Sequence, residues 1–230
     1  MTLASQYSLR RLVFITAFLT SGLLISACST HTVRTTQAIP LLQEQNAIAE
    51  NELLDVGIHL FNPGLDDEAL EDKDSIVFPE IRKAEARFIP YNLMETLQSS
   101  AAWGAVRVVP LTHQSVEVLV SGQIVKSDGE LMILNIDVID ASGRPWFNKE
   151  YVQKASKYSY DAKAQKHSDP FQNIYNRIAN DLNDYRKALS SEQRIALRQV
   201  SEMKFAQSFA PRVFSDHIST SKQGLLAVNR

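Results

Sequence analysis

The chain has 230 residues, with 24 basic and 26 acidic side chains and one cysteine. That balance argues against nucleic acid as a partner, and a single cysteine excludes an intramolecular disulfide or a cysteine-built metal site. The length, with a hydrophobic content of 44%, is enough for one domain with a real core plus appendages.

The first residues, MTLASQYSLRR, hold two arginines and no acid, and an apolar run from Leu12 to Ile25 follows. A positive start, a short apolar stretch and small residues at its end describe an export signal. The run is short for a membrane span, which needs about 20 residues. It closes on Ile25-Ser26-Ala27-Cys28: an aliphatic residue, two small ones, then the cysteine. This resembles the lipobox of bacterial lipoproteins. The resemblance implies a signal peptide over 1–27, cleavage between Ala27 and Cys28, diacylglycerol on the Cys28 thiol and a palmitate-type chain on the new amine. Arg10-Arg11 raise the twin-arginine route, but SLRRLVF lacks its fuller pattern, so the general secretory route is expected. One acyl chain holds a protein only marginally; three keep it on the membrane. Ser29 follows the cysteine where enterobacterial-type inner-membrane lipoproteins carry aspartate. The resemblance therefore implies the outer membrane of a Gram-negative cell, with the domain facing the periplasm.

Residues 28–48 are polar and weakly periodic, which predicts a lipidated N-terminus and a tether. In LLDVGIHLF, 53–61, Leu54, Val56, Ile58 and Leu60 alternate with Asp55, Gly57 and His59, the pattern of a half-buried strand. The stretch LDDEALEDKD, 65–74, has six acids and one lysine and reads as a solvated loop or short exposed helix. A helix is predicted from Pro79-Glu80, with Ile81, Ala84 and Phe88 on one stripe, Leu93 and Leu97 continuing an apolar face, and Pro90 kinking or breaking it. AVRVVP, 105–110, is a short strand. VEVLVSGQIVKSDGELMILNIDVIDASG predicts two alternating strands joined at Asp128-Gly129. Val116, Val118, Val120 and Ile124 share one face of the first; Met132, Leu134, Ile136 and Val138 share one face of the second. WFNKEYVQK, 146–154, is a fourth strand in this meander.

Asp169-Pro170 predicts a helix start, with Phe171, Ile174, Ile178, Leu182, Tyr185 and Leu189 on one buried stripe. Ser190 and Gln193 resemble a capping box for a further helix, 191–211. Residues 212–230 show no clear packed element and read as a flexible tail.

The predicted order is β-α-β-β-β-β-α plus an extra C-terminal helix. That gives an α/β (α+β) domain over 49–190, with a mixed four- to five-stranded sheet and helices mainly on one face. The helix ending in a tryptophan-bearing turn, the strand AVRVVP and the hairpin before an aromatic strand resemble the small α/β domain of the TolB amino-terminal domain and the curli-secretion lipoprotein family. That resemblance implies an envelope protein with helices packed on a mixed sheet. The chain departs from it in lacking the long hairpins that build a membrane barrel in the curli channel, so a pore is not expected.

No Gly-rich phosphate loop, H-E-x-x-H or G-x-S-x-G is present, and no metal site, cofactor or enzymatic activity is expected. Asp55 and His59 share a strand face, as do Asn135 and Asp137; a solvated sheet face is the simpler account of both pairs. Asp66, Asp67 and Glu68 contrast with a basic stretch holding Arg144, Lys149, Lys154, Lys157, Lys163 and Lys166. Such patches can steer self-association or docking of an envelope partner. The expectation is a membrane-anchored accessory or assembly subunit of an envelope complex that acts through protein contacts. The alternative is a glycan- or peptidoglycan-binding lipoprotein, with Trp146, Tyr151, Tyr158 and Tyr160 stacking on sugars. An exposed aromatic cluster favours that alternative, and an exposed apolar patch favours protein contacts.

Overall fold

A computed structural model describes residues 38–65, 78–111, 115–155 and 169–229. Five strands, β1 (Val56–His59), β2 (Val106–Val109), β3 (Val118–Ser127), β4 (Leu131–Asp140) and β5 (Pro145–Lys154), form one mixed sheet in the order β2-β1-β3-β4-β5. β1 runs parallel to both neighbours, and β3, β4 and β5 form an antiparallel meander. Helix α1 (Pro79–Ser99) connects β1 to β2, and α2 (Gln172–Ala188) and α3 (Ser191–Phe209) follow β5. This is the predicted α/β domain with its element order intact.

Alternation on β4 puts Met132, Leu134, Ile136 and Val138 in the core, where they meet Val118, Val120 and Ile124 of β3 and Val56 and Ile58 of β1. Ile89, Leu93 and Leu97 of α1 and Ile174, Ile178 and Leu182 of α2 cover that same face. β1 is not half-buried as predicted: all four of its residues are buried, because it lies between β2 and β3 with cover on both faces. Leu60, expected on the core stripe, is exposed just past the strand end. Val116 also leaves its predicted face. It lies before β3 begins and packs with Val109 and Leu119 on the other side of the sheet.

Pro90 neither breaks nor ends α1. A proline has no N–H, so the Ala86 carbonyl one turn earlier loses its helical partner. The Phe61 N–H supplies the replacement at 3.0 Å. The Phe61 ring in turn fills the space over Gly122, where a Cβ would lie 2.6 Å from ring carbons.

The predicted stripe of Ile81, Ala84 and Phe88 faces solvent; Arg82, Ala86, Ile89 and Leu93 point inward instead. The reason lies in β3, whose pairing with β4 slips by one residue between Ile124 and Lys126. Such a bulge leaves ladder groups unpaired. The Arg82 guanidinium, 4% exposed, donates to the Ser127 and Ile124 carbonyls. Glu85 completes the contact by pairing with Arg82 at 3.4 Å and accepting from the Ser127 hydroxyl at 2.7 Å.

Two segments that read as irregular, 38–48 and 212–229, are more structured than their composition predicts. Residues 38–48, read as part of the tether, lie along α2 up to Glu44, held by its asparagines. Residues 212–229, read as a flexible tail, contain the end of α4 (Pro211–Phe214) and a hairpin of β6 (Ile218–Thr220) and β7 (Leu226–Val228). Leu226 and Val228 pack on the main core. Among the described residues no helix is long and apolar enough to cross a membrane.

Candidate functional site

α3 crosses the end of the sheet where β1 and β3 begin and β4 finishes. The capping box predicted at Ser190 starts it: the Ser190 hydroxyl accepts from the Gln193 N–H, and the Gln193 side chain returns to the Ser190 N–H. From this helix Arg198 donates to the Leu53 carbonyl, Ser201 bonds the Glu117 carboxylate and Lys204 faces Asp140. Burial pushes the Glu117 carboxyl above its usual range; hydrogen bonds from the Asp55 N–H and Ser201 oppose this, and the Asp55 charge adds to it. Burial likewise pulls Lys204 down, with Asp140 opposing. Asp140 is itself occupied: it accepts from Ser142, the Arg144 N–H and Trp146 Nε1 and so ties off the turn before β5. These carboxylates close the end of the fold.

Asp55 and His59, expected together on a solvated strand face, are held by different partners, and His59 is buried at 7% exposure. Asp55 accepts from the Ala105 N–H at 2.8 Å and faces Arg107 at 3.8 Å, at the start of the strand. His59 Nδ1 lies 3.1 Å from Ser121 Oγ. Gly57 separates the two, and methyl groups of Val109 and Val116 fill the space above it. Asn135 and Asp137 are half-buried, and Asp137 accepts from Asn148 across the strands. Among the described residues no three His, Cys, Asp or Glu side chains converge in a way that could hold a metal ion.

Two of the four aromatics considered for sugar stacking are core residues. Trp146 is 4% exposed and Tyr151 is 1% exposed. The Tyr151 hydroxyl and Lys149 both bond Asp181 on α2, which locks the ring in place. Tyr158 and Tyr160 lie outside the described residues, as do Ala27, Cys28, Asp66, Asp67, Glu68, Lys157, Lys163 and Lys166. Lys154 is described, and pairs at 2.6 Å with Glu130 across the ends of the β4–β5 ladder.

The surface best suited to a contact is the outward side of α1. Ile81, Phe88 and Tyr91 are each more than half exposed, and with Ala84 they recur at three and four, so they form one continuous stripe. Phe78 is exposed just before the helix. The stripe runs on through Glu95 into a groove of about 310 Å³ between α1 and α2, lined also by Leu41, Asn92, Thr96, Ser99 and Gln172. Here Asn92 donates to Asp169 at 2.7 Å, and burial raises the Asp169 carboxyl above its usual range. Apolar side chains beside amide, hydroxyl and carboxylate groups suit a protein contact with a hydrophobic centre and a polar rim. The spacing of Ile81, Ala84 and Phe88 is visible in the sequence; its solvent exposure is not.

No family model and no curated protein matches the chain. Among solved structures it is similar to a PelC dodecamer from Paraburkholderia phytofirmans, at 16% identity and a TM-score of 0.32, over 68% of this chain and 95% of that one.

Proposed function

We propose that the chain is a lipid-anchored envelope protein, outer-membrane and periplasm-facing, that serves as a non-enzymatic accessory or assembly subunit through protein contacts. The observation that carries the contact reading is the apolar stripe Ile81-Ala84-Phe88-Tyr91 on the solvent side of α1. Scattered surface hydrophobics are ordinary, but a contiguous set rimmed by polar groups marks an interaction site. The anchor is supported by Ile25-Ser26-Ala27-Cys28, and the glycan alternative loses Trp146 and Tyr151 to the core.

The test is the mass of the detergent-extracted, acylated protein by light scattering, with co-purifying chains identified. A defined oligomer or a stoichiometric partner is the expected result. A monomer that co-purifies with nothing would overturn the assembly reading and return weight to glycan binding.

A further inference from the structure

Asparagine is a poor residue for a helix interior because its side chain competes for backbone groups. α2 nevertheless carries it at 173, 176, 180 and 183, a spacing that sets all four on one side. Three of them bond the backbone of an extended strap, residues 38–44. Asn173 Oδ1 accepts from the Ile39 N–H at 2.9 Å, and Asn176 Nδ2 donates to the Ile39 carbonyl at 2.7 Å. Asn180 accepts from the Leu42 N–H at 2.9 Å and donates to the Pro40 carbonyl at 3.0 Å. Between them these amides offer the strap backbone acceptors and donors, as the neighbouring strand of a sheet would.

The fourth asparagine supports the strap's far end. Asn183 Oδ1 accepts from the Arg186 guanidinium, which pairs with Glu44 at 2.7 Å. Burial raises the Glu44 carboxyl, but the Lys187 and Arg186 charges outweigh that and hold it below its usual range. The Glu44 N–H donates to the Ser100 carbonyl at 2.8 Å. Beyond Glu44 the contacts thin, and Gln45, Asn46, Ala47 and Ala49 are exposed. The chain is fixed again at Glu52, which pairs with Arg194 at 2.6 Å and accepts from Ser191.

We infer that the strap sets how far the domain can stand from the lipid surface, a role that rests on the anchored reading of Cys28. With the strap docked, nine residues, 29–37, separate the cysteine from the first described residue, Ala38. With it released as far as Ala49, there are twenty-one. Fully extended, these lengths reach about 30 Å and about 70 Å. The docked strap therefore confines α1 and its apolar stripe to partners close to the membrane.

The experiment uses the full acylated protein on a supported bilayer, with hydrogen exchange on the strap amides and domain height by neutron reflectometry. In the wild type the Ile39, Leu42 and Glu44 amides are expected to exchange at least ~10-fold more slowly than in a free peptide. In the double variant Asn176→Ala/Asn180→Ala they approach the free-peptide rate, and the mean height rises by about 10 Å, the difference between coils of these two lengths. A second variant, with residues 39–44 replaced by glycine and serine, leaves α2 untouched and gives the same rise. Unprotected strap amides in the wild type, or an unchanged height in both variants, would overturn the inference. Mass spectrometry separates the two readings. A Cys28 without acyl chains overturns the anchor and the reach together, whereas an acylated protein of unchanged height overturns the reach alone.

Discussion

Glu117 is 6% exposed, takes the Asp55 N–H at 2.7 Å and sits near the Asp55 carboxylate. Burial holds its carboxyl above the usual range, so the folded state binds its proton more tightly than the unfolded chain does. Stability must then fall as pH rises from the unfolded value through the folded one, and the penalty is complete above the latter. Glu117→Gln keeps an acceptor for Asp55 and removes the charge. We expect the variant to lose that pH dependence and to be more stable than the wild type at neutral pH, read from denaturant midpoints across a pH series. A variant less stable than the wild type at neutral pH would contradict this account. Gly122 offers a purely steric counterpart. A methyl group there would meet the Phe61 ring at 2.6 Å, and Phe61 also supplies the N–H that satisfies Ala86 beneath Pro90. Gly122→Ala should cost about 1–3 kcal/mol as an overpacked core does. Phe61→Leu in the same chain should recover part of it, and simple additivity of the two costs would show that they do not clash.

At the scale of elements, what the sequence reveals depends on whether a residue's fate is decided by its own neighbours. The β3–β4 hairpin is legible because strict alternation and Asp128-Gly129 are local signals: Asp128 accepts from the Glu130 and Leu131 N–H groups, and Gly129 takes φ 80°. The capping box is legible for the same reason, and Ser190→Ala should cost about 1 kcal/mol in thermal or chemical unfolding. α1 is legible as a helix but not in its orientation. It has two stripes with large apolar side chains, and over its first turns the one with Ile81 and Phe88 points outward. The inward stripe contains an arginine, which sequence rules place in solvent, and its partner is a bulge 42 residues away. Arg82→Met should therefore destabilise the fold by about 3 kcal/mol, because it strands strand carbonyls and leaves Glu85 without its cation. Adding Glu85→Gln should restore part of the loss. No change on Arg82→Met would mean that water serves the bulge equally well. The strap was hidden for a similar reason: residues 38–44 carry no periodicity, and what holds them is a row of asparagines more than 130 residues away.

At the scale of the molecule, α1 has one face built into the core and another, Ile81-Ala84-Phe88-Tyr91, that is exposed. Phe88 is 59% exposed, and Ile81 and Tyr91 flank it along the helix. If the stripe served stability, charging it would weaken the fold; if it serves a contact, charging it would leave the fold intact and abolish the contact. Phe88→Glu distinguishes these. Surface substitutions away from special features shift stability by about 0.5 kcal/mol or less, and Glu is at least as good a helix former as Phe. A charge buried unpaired at the centre of a contact is far more costly than one left in water. We expect the variant to unfold at the wild-type midpoint, to carry the same acyl mass, and to lose at least ~10-fold in affinity for whatever co-purifies with the wild type, whether a second copy or another envelope protein. Ala84→Glu, on the same stripe, should behave alike. Lys222→Glu, which changes charge on the exposed turn between β6 and β7, controls for a general effect of charge and should retain the partner. Retention of the partner by both stripe variants would move the contact elsewhere on the surface. The exposed Phe205, Phe209 and Val213 near the end of α3 would then be the next apolar group to charge.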